Sequence, residues 1–164
     1  IRNGGPVTIT TADMTRFLLS LEQAVDTIAA AYERALPGET FIPQIPAAKV
    51  MDIADVMIGD RPIKKIITGI RPGEKIHEIL VSEEEANRTI DVGGYYSIMP
   101  ILPELKKRPS PIDNLKREYC SADNLMSVEQ VREMLIRNDL MVSESEPCQT
   151  EIKSNGSGSE EVLR

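Results

Sequence analysis

The sequence predicts an α/β layered fold, and three observations carry that prediction. Strand-like and helix-like stretches alternate over the first eighty residues in the order strand, helix, strand, helix, strand, helix. Gly and Pro punctuate the joints between them. The chain has 164 residues with 41% hydrophobic and 27% charged side chains, enough for one ordinary domain and cramped for two.

The elements follow in order. Pro6-Val7-Thr8-Ile9-Thr10-Thr11 alternates β-branched residues behind a Gly-Gly-Pro turn and reads as a strand. Thr11-Ala12-Asp13 supplies capping side chains for a long amphipathic helix from Met14 to Leu36, with Phe17, Leu18, Leu21, Val25, Ile28, Ala29 and Tyr32 at helical spacing and Pro37-Gly38 as its stop. Glu39 to Pro43 is a short strand before the turn at Pro46. Lys49 to Met57 is a second helix ending near Gly59-Asp60. Ile63 to Ile70 is a β-branched run of the kind found in a buried strand. Gly73 breaks it, and Glu74 to Val81 is expected as a short third helix. Ala86 to Pro100 is expected as a further strand segment, and Pro103 to Asn114 as a Pro- and Lys-rich loop. Ser127 caps a last amphipathic helix running to Asp139. Residues 1–140 therefore form the folded portion. Residues 141–164, rich in Ser, Glu and Gly, lack the apolar content to order themselves and are expected as a disordered acidic tail.

Composition narrows the function classes. Nineteen Lys and Arg against 26 Asp and Glu give a net charge of −7, which opposes general binding to nucleic acid or an anionic membrane. Aromatic residues make up 4% with no Trp, so a base-stacking platform is not expected. Cys120 and Cys148 lie far apart, the pattern of reduced thiols in a cytoplasmic protein. The single His excludes any site needing two. No apolar run approaches the length of a membrane span. The chain opens on Ile1-Arg2-Asn3-Gly4-Gly5 without a Met and reads like the middle of a longer one.

Catalytic signatures are missing. No GxGxxG follows a strand, no Tyr has a Lys four places on, and there is no Walker loop or GxSxG elbow. The informative stretch is Gly69-Ile70-Arg71-Pro72-Gly73-Glu74-Lys75-Ile76-His77-Glu78. It sets an Arg at the end of a buried strand and a Glu at the start of a helix, joined by Pro-Gly, and ligands of open α/β sheets collect at the carboxyl ends of strands. A guanidinium there suits a diphosphate, and the carboxylate suits ribose hydroxyls. The plain alternative is a surface turn whose Arg and Glu pair with neighbours. In Met14-Thr15-Arg16-Phe17, Arg16 would stand near a positive helix end, which calls for an anion or a carboxylate beside it. A salt bridge to Asp13 or Glu22 would serve as well. Tyr119-Cys120-Ser121-Ala122-Asp123-Asn124 is a polar cluster, either a capping turn or part of a site. His77 reads most simply as a partly exposed or capping histidine, and Glu83-Glu84-Glu85 as a solvated acidic face.

Together, Pro6-Val7-Thr8-Ile9-Thr10, Met14-Thr15-Arg16-Phe17, Leu21-Glu22-Gln23-Ala24-Val25, Phe41-Ile42-Pro43-Gln44-Ile45-Pro46 and Gly69 to Glu78 resemble, in fixed order, the C-terminal part of the inverting UDP-N-acetylglucosamine 4,6-dehydratases. These belong to the extended short-chain dehydrogenase/reductase superfamily and act in bacterial polysaccharide and flagellin-glycan biosynthesis. The resemblance covers residues 4–102 strongly and 115–140 weakly. It implies that this chain is the substrate-binding portion of a Rossmann-like fold whose N-terminal half, with NADP and the catalytic Tyr and Lys, is missing. It implies that Arg16 and Arg71 hold the UDP diphosphate and that Glu74 lies beside the ribose. Thr8 would pass the uracil, and Ser121 and Asn124 would close over the nucleotide. The reaction implied is oxidation at sugar C4, loss of water across C5–C6 and reduction at C6; this half alone would be inactive. The expected partners are a UDP-sugar and either a second copy or whatever covers the edge left by the missing half. A related epimerase, or a non-catalytic binding module on the same fold, remains the competing reading.

Overall fold

The computed structural model describes residues 1–105, 108 and 114–141. The expected tail beyond Val142, Cys148 and most of the 103–114 loop lie outside the described residues.

Among the described residues the chain is a mixed α/β structure with one parallel strand pair. Strand β1 (Val7–Ile9) runs parallel to β5 (Lys65–Ile67), with Thr8 opposite Ile66. The pairing continues past both strands through Thr68 N–H to Ile9 O and Gly69 N–H to Thr10 O. Strand β2 (Thr15–Phe17) pairs antiparallel with β4 (Ala47–Lys49), Arg16 opposite Ala48. Strand β3 (Thr40–Pro43) joins a hairpin of β7 (Thr89–Asp91) and β8 (Tyr95–Ile98) in the order β3-β8-β7. Strand β6 (Ile79–Val81) pairs with β9 (Tyr119–Cys120).

The core lies where helix α2 (Val50–Ile58) meets helix α4 (Val128–Arg137). Ala48, Val56, Val131 and Leu135 are buried together, with Leu18, Ile53, Met57 and Met126 packed around them. Ala47 and Ala48 are fully buried; a strand that passes this close to two helices has room for little more than a methyl group. Gly59 ends α2 at φ +58, the left-handed conformation that suits glycine.

Five sequence expectations are corrected. The helix expected from Met14 begins only at Leu21; helix α1 spans Leu21–Arg34, and Thr15–Phe17 is strand β2. Ser20, not Thr11 to Asp13, is the cap: its Oγ accepts from Gln23 N–H and the Gln23 side chain accepts from Ser20 N–H. Apolar residues at 17, 18 and 21 satisfied a helical period by running across two different elements.

The run at Ile63 to Ile70 does form a strand, but not a buried one. Ile66, Ile67 and Ile70 are about half exposed, because among the described residues β5 pairs only with β1. The helix expected over 74–81 is instead a turn at Arg71–Glu74, an extended segment and strand β6. Gly73, at φ +87, closes that turn, and Thr15 N–H then bonds Ile76 O and holds the chain extended. The strand expected over 86–100 divides into β7 and β8 at Gly93-Gly94, both at positive φ. It is preceded by a single helical turn, α3 (Glu83–Ala86), where Ser82 N–H donates to Glu85.

Candidate nucleotide-binding site

The site is built where the chain returns to β2 after the parallel pair. Because β1 and β5 are parallel, their carboxyl ends share one edge, and Gly69, Ile70 and Arg71 continue from it. Glu74 Oε2 accepts from Arg71 N–H at 3.1 Å while Glu74 N–H bonds Arg71 O, also at 3.1 Å. The carboxylate thus fastens the turn to its own backbone. Both side chains are exposed, and among the described residues the Arg71 guanidinium has neither a hydrogen bond nor an ion pair. It is free to meet an anion.

Arg16 is used differently. Its Nη1 donates to Thr15 O at 2.7 Å and to Ile76 O at 3.1 Å, its Nη2 donates to Lys75 O at 3.0 Å, and its Nε lies 3.5 Å from Glu78 Oε1. A guanidinium has five N–H donors, so one of them, on Nη2, is uncommitted among the described residues. The MTRF and RPGEKIHE motifs are therefore one physical unit: the Arg of the first organises the loop of the second across some sixty residues of chain. The positive helix end invoked for Arg16 does not exist, since the residue lies in a strand, and Glu78 rather than Asp13 or Glu22 is its carboxylate.

Behind Arg16 is a polar chain. Thr15 Oγ1 lies 2.8 Å from His77 Nδ1 and 2.6 Å from Ser121 Oγ. Ser121 Oγ accepts from Glu78 N–H at 2.9 Å, and Ser121 N–H donates to Glu78 O at 2.8 Å. Thr15 and Ser121 are both buried. Ser121, expected to face the nucleotide, has its hydroxyl turned inward. Thr8 is exposed on β1, and Asn124 is exposed with its carbonyl accepting from Ala47 N–H. Sequence reasoning missed Thr15 altogether and gave His77 only a bland role. No spacing links residues 15, 77 and 121; only the fold joins them.

Beside this network, Tyr119 pins the strand ends. Its phenol accepts from Ile45 N–H at 2.9 Å and donates to Ile45 O at 2.7 Å, and its ring packs on Phe17 and Tyr96 at 4.9 and 5.1 Å. Burial pushes its pKa up, with the Ile45 bond offsetting part of the shift. This places a neutral aromatic wall under β2.

A cleft of about 780 Å³ opens elsewhere, between the start of α1 and the end of α4. Glu22, Glu133 and Asp139 face a single Arg137 there, which is the wrong charge for a phosphate, and none of the sequence-predicted site residues lines it. A dinucleotide cofactor does not fit the residues present either. Strand β1 leads through Thr10 to Asp13 into another strand, whereas such a site needs a Gly-rich turn opening a helix.

The model of the family described as polysaccharide biosynthesis protein matches residues 1–100, more than half of the chain. The chain belongs to that family. Within it, the chain is 40% identical to the inverting UDP-N-acetylglucosamine 4,6-dehydratase of Campylobacter jejuni over 99 residues, 60% of this chain and 29% of that protein. It is 31% identical to the UDP-glucose 4-epimerase of Rickettsia typhi over 153 residues, 88% of this chain and 45% of that one. Among solved structures, Pen from Bacillus thuringiensis superposes with a TM-score of 0.73 at 28% identity, covering 85% of this chain and 43% of that chain. The chain thus spans less than half the length of these relatives, and it lies in the dehydratase/epimerase branch of the short-chain dehydrogenase/reductase superfamily. No helix among the described residues is long and apolar enough to cross a membrane.

Proposed function

We propose that this chain is the UDP-sugar-binding part of a nucleotide-sugar 4,6-dehydratase of polysaccharide or flagellin-glycan biosynthesis. The observation that carries this reading is the Arg71–Glu74 turn: an exposed guanidinium, unpaired among the described residues, beyond the carboxyl ends of a parallel strand pair and beside a loop fixed by Arg16. Arg71 meets the diphosphate with two parallel N–H donors. Arg16 adds its remaining N–H and shapes the loop. Glu74 accepts from the ribose, with Thr8 and Asn124 on the exposed approach. The contribution to catalysis is positional, since binding energy from the UDP end holds the sugar where chemistry takes place. NADP and the acid–base residues belong to the missing half, and the present chain alone is inactive. The cytoplasm is the compartment this reading requires, and the free thiol of Cys120 accords with it.

A related epimerase is the second reading. Its support is extent: four epimerase relatives align over 88% of this chain, against 60% for a fifth and for the more identical dehydratase. Calorimetric titration separates the cases. Affinity should rise from UMP to UDP and fall at least about tenfold in Arg71→Ala, the worth of a charge-assisted pair. Equal affinity for UMP and UDP would remove the diphosphate role. Preference for UDP-N-acetylglucosamine over UDP-glucose supports the dehydratase; the reverse preference supports the epimerase.

A further inference from the structure

The buried hydroxyls of Thr15 and Ser121 and the ring of His77 come from three separate segments, yet they form one continuous chain of hydrogen bonds. Ser121 Oγ already accepts from Glu78 N–H, so its own proton must find an acceptor. Two are in reach, Thr15 Oγ1 at 2.6 Å and Thr15 O at 3.4 Å, and the shorter contact takes it. Thr15 then donates its proton to His77 Nδ1, which leaves the neutral ring protonated at Nε2.

The chain of bonds ends on the segment Arg16 grips. His77 is flanked by Ile76, whose carbonyl receives Arg16, and by Glu78, whose carboxylate pairs with it and whose amide rests on Ser121. Three residues before His77 the Arg71–Glu74 turn closes on itself. Position is therefore handed from β2 and β9, through buried hydroxyls, to the turn carrying the free guanidinium.

We propose that Thr15, Ser121 and His77 are positioning residues that set the Arg71–Glu74 turn for a nucleotide diphosphate. None of them touches the ligand. The proposal rests on the nucleotide reading above, and the two fail in different ways. Removing Thr15 Oγ1 takes the donor from His77 Nδ1 and leaves the Ser121 proton only the longer contact to Thr15 O, so the arrangement loosens.

The chain has a single His, so its imidazole can be followed without assignment. Nitrogen NMR of the 164-residue chain at neutral pH should show the Nε2–H tautomer; an Nδ1–H ring would overturn the proton order and the proposal with it. Calorimetry with UDP should then find Thr15→Ser binding as the parent does and Thr15→Val binding at least about tenfold more weakly, the scale of an orphaned buried polar group. A purely structural hydroxyl would lower the melting temperature of Thr15→Val and leave its UDP affinity alone, which would refute the positioning role. Should Thr15→Val not fold, His77→Phe keeps a planar aromatic ring without the Nδ1 acceptor and is expected to weaken UDP in the same way. A parent chain that binds no UDP removes the nucleotide reading and this role together, a pattern distinct from equal binding by parent and variant.

Discussion

Arg16 shows how much one side chain can be asked to do at the residue scale. Its fork reaches two carbonyls of the 75–76 loop and the Glu78 carboxylate, a geometry that a lysine ammonium cannot reproduce. Arg16→Ala should cost about 1–3 kcal/mol in urea unfolding, because the Lys75 carbonyl loses its partner and the Ile76 carbonyl keeps only Thr15 N–H, and Arg16→Lys should recover only part of it. An Arg16→Lys chain as stable as the parent would mean the loop is held by Thr15 and Ser121 alone. Glu39 offers a second test, by pH. Burial alone would raise its carboxyl, but Arg108, at 2.5 and 3.1 Å, and Leu36 N–H hold it below its ordinary value. A depressed carboxyl contributes stability above its unfolded pKa, and that stability is lost as pH falls through the folded value. Glu39→Gln should therefore be less stable than the parent above about pH 4.3, with the gap closing below it. A gap that persists in acid would assign the loss to packing instead of charge.

Helices α1 and α4 carry the same Ser-x-x-Gln capping device, yet the consequences of losing it should differ. Helix α4 buries Val131 and Leu135 against α2, so Ser127→Ala should cost the whole molecule about 1 kcal/mol. Leu135→Ala should cost about 2–5 kcal/mol. Helix α1 buries no residue, so Ser20→Ala should fray it in circular dichroism and leave the global unfolding midpoint in place. Equal losses from the two cap variants would show α1 to be coupled to the core. The same contrast explains what was legible in the sequence. Ser127, the amphipathic spacing after it and the Pro37-Gly38 stop are local signals, and α4 and the end of α1 appear where they point. The start of α1 and the 71–81 segment did not follow the pattern, because their structure is decided by distant partners: Ala48 opposite Arg16, and Tyr119–Cys120 opposite Ile79–Val81. The site divided along the same line. Arg71 and Glu74 could be singled out from one decapeptide, whereas Thr15, His77 and Ser121 meet only in the folded chain.

At the scale of the whole molecule, hydrophobic residues lie in two places, only one of which is a core. On α1, Leu21, Val25, Ile28 and Tyr32 are 82, 57, 71 and 91% exposed, and their spacing puts them on one face of the helix. Strand β5 adds Ile66 and Ile67, and Ile70 follows just beyond it. Isolated exposed apolar residues are ordinary; a stripe running the length of a helix is a surface that lowers its free energy by being covered. In this structure the stripe is uncovered, and the chain spans less than half the length of its relatives. A second copy can cover the stripe in solution. The chain should therefore self-associate with rising concentration in sedimentation equilibrium, and the double variant Val25→Glu, Ile28→Lys should shift it to the monomer. Neither substituted residue is buried, so the urea midpoint of the dilute chain should not fall. A parent chain monomeric throughout would refute the prediction, whereas a variant that associates as strongly would transfer the association to β5, whose open edge offers unpaired backbone groups to a further strand.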